Sequence, residues 1–143
     1  MPLNNIRRIT GDYMLESKRV SPHTLTVVEV DFEGVERVRR AHKARFKQEE
    51  GFGLTYLPFI SRAVVDALHD YPMINSSVGN NEVIVHNYVN LAIAVDLNFE
   101  GLLAPVIKDA DTKRLRGLAR EVSDLAGRAR ACLLYTSPSP RDS

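Results

Sequence analysis

The chain has 143 residues, 44% of them hydrophobic and 26% charged, with a formal net charge of +1. That is enough for one domain with a real core and too little for two ordinary ones. The near-neutral balance excludes a protein built mainly to bind nucleic acid, and no apolar run nears the roughly 18 residues of a membrane span. The start, Met-Pro-Leu-Asn-Asn, has no secretory pattern, and the single cysteine, Cys132, excludes an internal disulfide and suits a reducing, cytoplasmic setting.

In chain order, residues 4–20 predict an amphipathic helix, capped by Asn4 or Asn5, with Ile6, Ile9, Tyr13 and Met14 on one face. Pro22 ends it. Residues 24–31 are rich in β-branched side chains and predict a strand. Asp31 is placed to cap a second helix running to about Glu49, with Val35, Val38, His42 and Phe46 as its inner stripe. Gly51-Phe52-Gly53 breaks the chain, and Pro58 sits at a first helical position. The helix that follows steps through Phe59, Ala63, Ala67 and Tyr71, flanked by Ile60, Val64 and Leu68, until Pro72 stops it.

Residues 76–81 are loop-like, and residues 82–86 predict a strand paired in a hairpin with residues 91–95. The run 90–95 is almost wholly apolar, as a strand covered on both faces would be. Turn residues 97–101 lead to a second apolar run, 102–107, where Pro105 requires an edge position or a bulge. Asp109 and Asp111 offer carboxylates to a last helix starting near Thr112. Its face is Leu115, Leu118, Ala119, Val122, Leu125, Ala126 and Ala129. Residues 132–143 abandon that periodicity and turn Ser/Pro-rich. They are taken as foreign to the fold, a read-through or cloning scar, which leaves 1–131 as the domain. Helices alternating with strands indicate an α/β two-layer sandwich with a mixed sheet.

Four histidines are present, none with a second Cys or His at metal-ligand spacing, and there is no phosphate-cradling glycine loop or Gly-x-Ser-x-Gly elbow. His23 is expected at a turn, His42 in packing and His69 at a helix end.

The run N-L-A-I-A-V-D at residues 90–96, followed by G-L-L-A-P-V-I-K-D-A-D at 101–111, resembles the catalytic domain of the acyltransferase component of 2-oxo acid dehydrogenase complexes. Supporting motifs are S-x-x-x-x-P-H-x-T from Ser17, with the family's last Thr shifted to Thr24 or Thr26, E-V-D at 29–31, and P-x-I-N-S-S at 72–77. The resemblance implies a chloramphenicol acetyltransferase-like fold built as a trimer within a larger core. It also implies acyl transfer from a lipoyl thioester to coenzyme A, with the decarboxylase and dihydrolipoamide dehydrogenase as partners.

Such chemistry needs a base for the coenzyme thiol, whose pKa is about 8.5, and a donor for the oxyanion. The family's H-x-x-x-D-G and G-G-T-F-T-x-S-N motifs, which supply them, do not occur in these residues. The expectation is therefore a truncated, N-terminal part of the domain, inactive as it stands. The resemblance assigns coenzyme contacts to Arg39, Thr55 and Asp96. Read from the residues alone, these are a solvated helix cation, a helix-entry cap and an Asx-turn former. Two rivals share the fold: a non-catalytic core scaffold, and a free-standing acetyltransferase acting on a small hydroxyl acceptor.

Overall fold

A computed structural model describes residues 5–99 and 101–131, with the side chain of Ile6 excepted. The expectations placed on Asn4, on the Ile6 side chain and on residues 132–143 lie outside the described residues.

Four helices carry the fold: α1 (Asn5–Val20), α2 (Glu33–Glu50), α3 (Leu57–Asp70) and α4 (Leu115–Arg130). Between α3 and α4 run six short strands, β1 (Ser76–Val78), β2 (Val83–Val85), β3 (Leu91–Ala92), β4 (Val95–Asp96), β5 (Leu102–Leu103) and β6 (Val106–Ile107). They pair as three two-stranded antiparallel ladders, β1 with β2, β3 with β6 and β4 with β5. The α/β class is the one expected; among the described residues every ladder is antiparallel, where a mixed sheet was expected.

The last two ladders are one long hairpin interrupted at its middle. Pro105 has no N–H to donate, and only its carbonyl takes part, accepting from Ile93 N at 3.0 Å. At the tip, Leu97 N donates to Gly101 O at 2.9 Å, and Asn98 and Phe99 both take positive φ, 55° and 65°. Arg7 of α1 reaches this tip and donates to Phe99 O at 2.5 Å.

Helix α4 is the platform. Its buried residues Leu118 and Leu125 join Val65 of α3, Val89, Ile107 and Ala110 in one core, while Ala119 joins Phe46 and Leu54 in a second. The face expected for this helix is the face that packs. Two arginines fasten it to the end of α2. Arg120 forks onto Glu50 with bonds of 2.6 and 2.9 Å, and Arg116 bridges Glu49 and Glu50 at 2.8 and 3.1 Å. Gly51 closes α2 in the left-handed region at φ 80°, its N–H donating to Lys47 O at 3.0 Å.

Several expectations are corrected. Residues 24–31 form no ladder, because no strand among the described residues lies beside them. Leu25, Val27, Val28 and Val30 stand exposed. Residues 82–86 pair with residues 76–78, not with 91–95, since the loop-like Ser-Ser-Val run lies within a tight turn's reach. The run 90–95 is covered on one face only: Leu91, Ile93 and Val95 turn inward while Ala92 and Ala94 stay exposed.

On α3 the buried positions are Pro58, Ser61 and Val65, whereas Ala63, Ala67 and Tyr71 are exposed. A helix apolar on most sides gives no unique stripe, and contact with α4 chooses it. The face expected on α1 is open, with Tyr13 75% and Met14 65% exposed. On α2, Val38 and His42 are exposed, and Phe46 is the buried residue of the expected stripe.

Helix α4 begins at Leu115, after a 3₁₀ turn at Ala110–Thr112. Asp111 therefore accepts from Val89 N, at 3.1 Å, instead of capping the helix, and Asp109 N donates back to Asn90 Oδ1 at the same distance.

Candidate functional site

Helix spacing creates the first polar cluster. Glu36 and Arg39 lie three residues apart on α2 and so share a face. Arg39 Nε donates to Glu36 Oε2 at 2.6 Å and its Nη2 to Oε1 at 3.0 Å, which is a two-pronged pair. The Gly51 cap turns the chain back along α2, and this return places residues 54–56 against the pair. Arg39 Nη1 then donates to Leu54 O at 3.3 Å. Tyr56 donates its hydroxyl to Glu36 Oε2 at 2.6 Å, and the Arg39 guanidinium lies 4.7 Å from the centre of the Tyr56 ring. Phe32 closes the cluster edge-on to Tyr56, at 5.8 Å between ring centres.

Both members of the ion pair are largely covered, with side chains 21% (Arg39) and 17% (Glu36) exposed. The Arg39 hydrogen bonds, followed by that from Tyr56, hold the Glu36 carboxyl well below its ordinary 4.5, at about 2. The same pairing raises the Arg39 guanidinium above its ordinary value.

Thr55 follows directly on Leu54 and is exposed. It lines a groove of about 270 Å³ between the Phe52–Gly53 loop and α4, together with Pro58, Ala119 and Ser123. Arg39 and Thr55 are thus both next to Leu54, the first through a bond to its carbonyl and the second through the chain. Asp96 is not brought there by any hydrogen bond or ion pair among the described residues. It lies exposed at the end of β4, and its Oδ1 accepts from Phe99 N, three residues on, at 3.3 Å, a local turn bond one residue longer than that of an Asx turn. Among the described residues no hydrogen bond or ion pair joins it to Arg39 or Thr55.

His23 Nδ1 lies 2.8 Å from Ser21 O, a turn contact as expected, and His69 is in the last turn of α3. His42 corrects its expectation. It lines an open cleft of about 440 Å³ between α2 and α4, floored by Phe46, Leu54 and Phe59. Among the described residues no group of three or more His, Cys, Asp or Glu side chains could hold a metal ion, and no helix is long and apolar enough to cross a membrane.

Glu36 and Tyr56 were not singled out from the sequence. The signal for Glu36 was available in its three-residue spacing from Arg39. For Tyr56 there was none, because its place follows from the chain reversal.

The fold is that of an α/β domain. The family model described as 2-oxoacid dehydrogenases acyltransferase (catalytic domain) matches residues 1–137, and the chain belongs to that family. The lipoamide acyltransferase component of the branched-chain alpha-keto acid dehydrogenase complex of Bacillus subtilis is 35% identical over 130 residues, which are 91% of this chain and 30% of that protein. The dihydrolipoyllysine-residue acetyltransferase component of the pyruvate dehydrogenase complex of Mycobacterium tuberculosis is 40% identical over 130 residues, 90% of this chain and 23% of that one. This chain therefore spans less than a third of the length of these relatives.

Among solved structures, a probable dihydrolipoamide acetyltransferase from Listeria monocytogenes has a TM-score of 0.90 at 42% identity, covering 95% of this chain and 58% of that chain. The cubic core of the pyruvate dehydrogenase multienzyme complex has a TM-score of 0.89 at 34% identity, covering 94% and 56%.

The donor chemistry of the α2–α3 corner suits coenzyme A in part. A guanidinium has five N–H groups. Three on Arg39 are engaged by Glu36 and Leu54, two of them as a fork of the shape that also suits a phosphate. The exposed Thr55 hydroxyl can donate or accept. The Asp96 carboxylate is acceptor-only when ionised, so it suits a hydroxyl or amide of the coenzyme and not a phosphate.

Proposed function

We propose that this chain is the coenzyme A-gripping part of a dihydrolipoamide acyltransferase catalytic domain, serving acyl transfer between a lipoyl thioester and coenzyme A. The observation that carries the reading is the match of residues 1–137 to that family, together with the TM-score of 0.90 to a dihydrolipoamide acetyltransferase. Bound coenzyme A supplies the acceptor thiol. On this reading the Arg39 guanidinium holds a phosphate, and the Tyr56 ring keeps the guanidinium plane in place. Thr55 supplies a hydroxyl beside it, and Asp96 accepts from a hydroxyl or amide farther along the coenzyme.

None of these 143 residues has the sequence context of the base or oxyanion donor that the resemblance assigns. The proposed role here is accordingly binding and orientation, which lower the barrier by fixing the thiol's approach. Residues 1–131 are the proposed extent of the domain. A trimer within a larger core, the decarboxylase and dihydrolipoamide dehydrogenase as partners, and a cytoplasmic site complete the proposal. Relatives that are components of 2-oxo acid dehydrogenase complexes support the partners, and the solved cubic core supports a larger assembly.

Calorimetric titration of the chain with coenzyme A tests the assignment. Binding is expected to weaken by about tenfold in Arg39→Gln, the loss of one charge-assisted phosphate contact. Affinity unchanged by Arg39→Gln, Thr55→Val and Asp96→Asn alike overturns it.

A further inference from the structure

The coenzyme reading gives the Arg39 guanidinium a phosphate to hold, but in this structure a carboxylate of the chain itself already fills its fork. Glu36 accepts from Nε and Nη2 at 2.6 and 3.0 Å, which is the side-on, two-bond geometry that an arginine offers a phosphate. The Tyr56 hydroxyl adds a third bond to the same carboxylate at 2.6 Å, and Arg40 Nε stands 3.4 Å from its other oxygen. The carboxylate thus draws on three different side chains, all donors that a phosphate could also use. We infer that Glu36 is an internal stand-in for a phosphate, filling the Arg39 fork until a phosphate-bearing ligand displaces it and so setting this site's affinity for coenzyme A. This inference rests on the reading of Arg39 proposed above.

Two features make displacement workable. The pair is formed within one helix, three residues apart, so it opens by side-chain rotation without unpacking α2 from α4. The Tyr56 ring lies against the guanidinium and is also packed edge-on against Phe32, a contact that does not involve Glu36, so Arg39 keeps one wall of its seat when the carboxylate leaves. The carboxyl also stays ionised at neutral pH, held at about 2 by its partners, so solvent protons do not empty the fork and an incoming anion must.

A purely positioning Glu36 would have the opposite effect. If its task were to orient Arg39 toward the ligand, its loss would weaken binding, whereas loss of a competitor tightens it. The sign of one substitution therefore separates the two roles.

The experiment is calorimetric titration of the full chain, wild type and Glu36→Gln, with coenzyme A and with pantetheine, which carries no phosphate. Glu33→Gln, an exposed carboxylate in the first turn of α2, controls for the general loss of negative charge. Arg39→Gln alone and with Glu36→Gln completes a double-mutant cycle. Circular dichroism shows that each variant keeps its helices.

Glu36→Gln is expected to tighten coenzyme A about three- to tenfold. Pantetheine should be unaffected, Glu33→Gln should change coenzyme A by less than about twofold, and the gain should vanish in the Arg39→Gln background. Weaker or unchanged coenzyme A binding by Glu36→Gln, while Arg39→Gln still weakens it, overturns the stand-in and leaves the coenzyme reading intact. An equal gain for pantetheine or for Glu33→Gln also overturns it. If neither wild type nor Glu36→Gln binds coenzyme A, or if Arg39→Gln binds as wild type does, the assignment of Arg39 itself falls.

Discussion

Glu36 and Ser61 are two polar side chains taken from water under opposite terms. Glu36 accepts bonds from Arg39 and Tyr56, and its folded carboxyl sits at about 2 against an ordinary 4.5. A depressed carboxyl stabilises the fold fully above the unfolded value and loses that contribution as pH falls through the folded one. Acid unfolding of wild type should therefore steepen between about 4.5 and about 2, and Glu36→Gln should flatten that part of the profile, as followed by circular dichroism. Glu49 and Glu50, lowered in the same sense by Arg45 and Arg120 respectively, contribute in that direction too. Ser61 is 2% exposed and its Oγ has no hydrogen-bond partner among the described residues. Replacing it with alanine removes an unpaired hydroxyl and improves helix propensity, so Ser61→Ala should stabilise the chain by about 1 kcal/mol in urea titration.

At the scale of elements, the α2–α3 connection positions the candidate site. The left-handed Gly51 ends α2 and sends residues 52–56 back along it, which is how Leu54 and Tyr56 come to meet Arg39. At φ 80° any Cβ is strained, although no neighbouring atom lies within 4 Å of one placed there. Gly51→Ala should thus cost about 1–2 kcal/mol from backbone strain alone, read as a lowered unfolding midpoint with unchanged slope. Sequence signals for this corner were strong: Gly51, Gly53 and Pro58 mark the turn and the next helix start. They could not show which side chains the turn would bring together. The hairpin pairing of residues 76–85 was illegible for a related reason, since several short apolar runs could pair and contact geometry chose among them.

Over the whole molecule, apolar surface is divided unevenly. The α3–α4 side is packed, while Leu25, Val27, Val28 and Val30 are 88%, 81%, 75% and 69% exposed in a segment with strand composition and no ladder. Tyr13, Met14 and Leu15 of α1 add to the exposed area. Such a segment invites pairing with another chain. The chain should therefore sediment with concentration-dependent mass, and Val28→Lys should lower that dependence without loss of helix signal. Unchanged association in Val28→Lys would show that the segment is not the contact.

By itself the sequence determined where helices stop and start, because glycine, proline and a three-to-four-residue apolar spacing act locally. It also determined the α/β class and the family, whose mark is the ordered run from Asn90 to Asp111. Only the tertiary structure decided which face of α3 is buried, which short strands pair, and that Leu54 and Tyr56 meet Arg39. Those outcomes depend on what lies across the gap from a side chain, and spacing along one strand of chain carries no information about that.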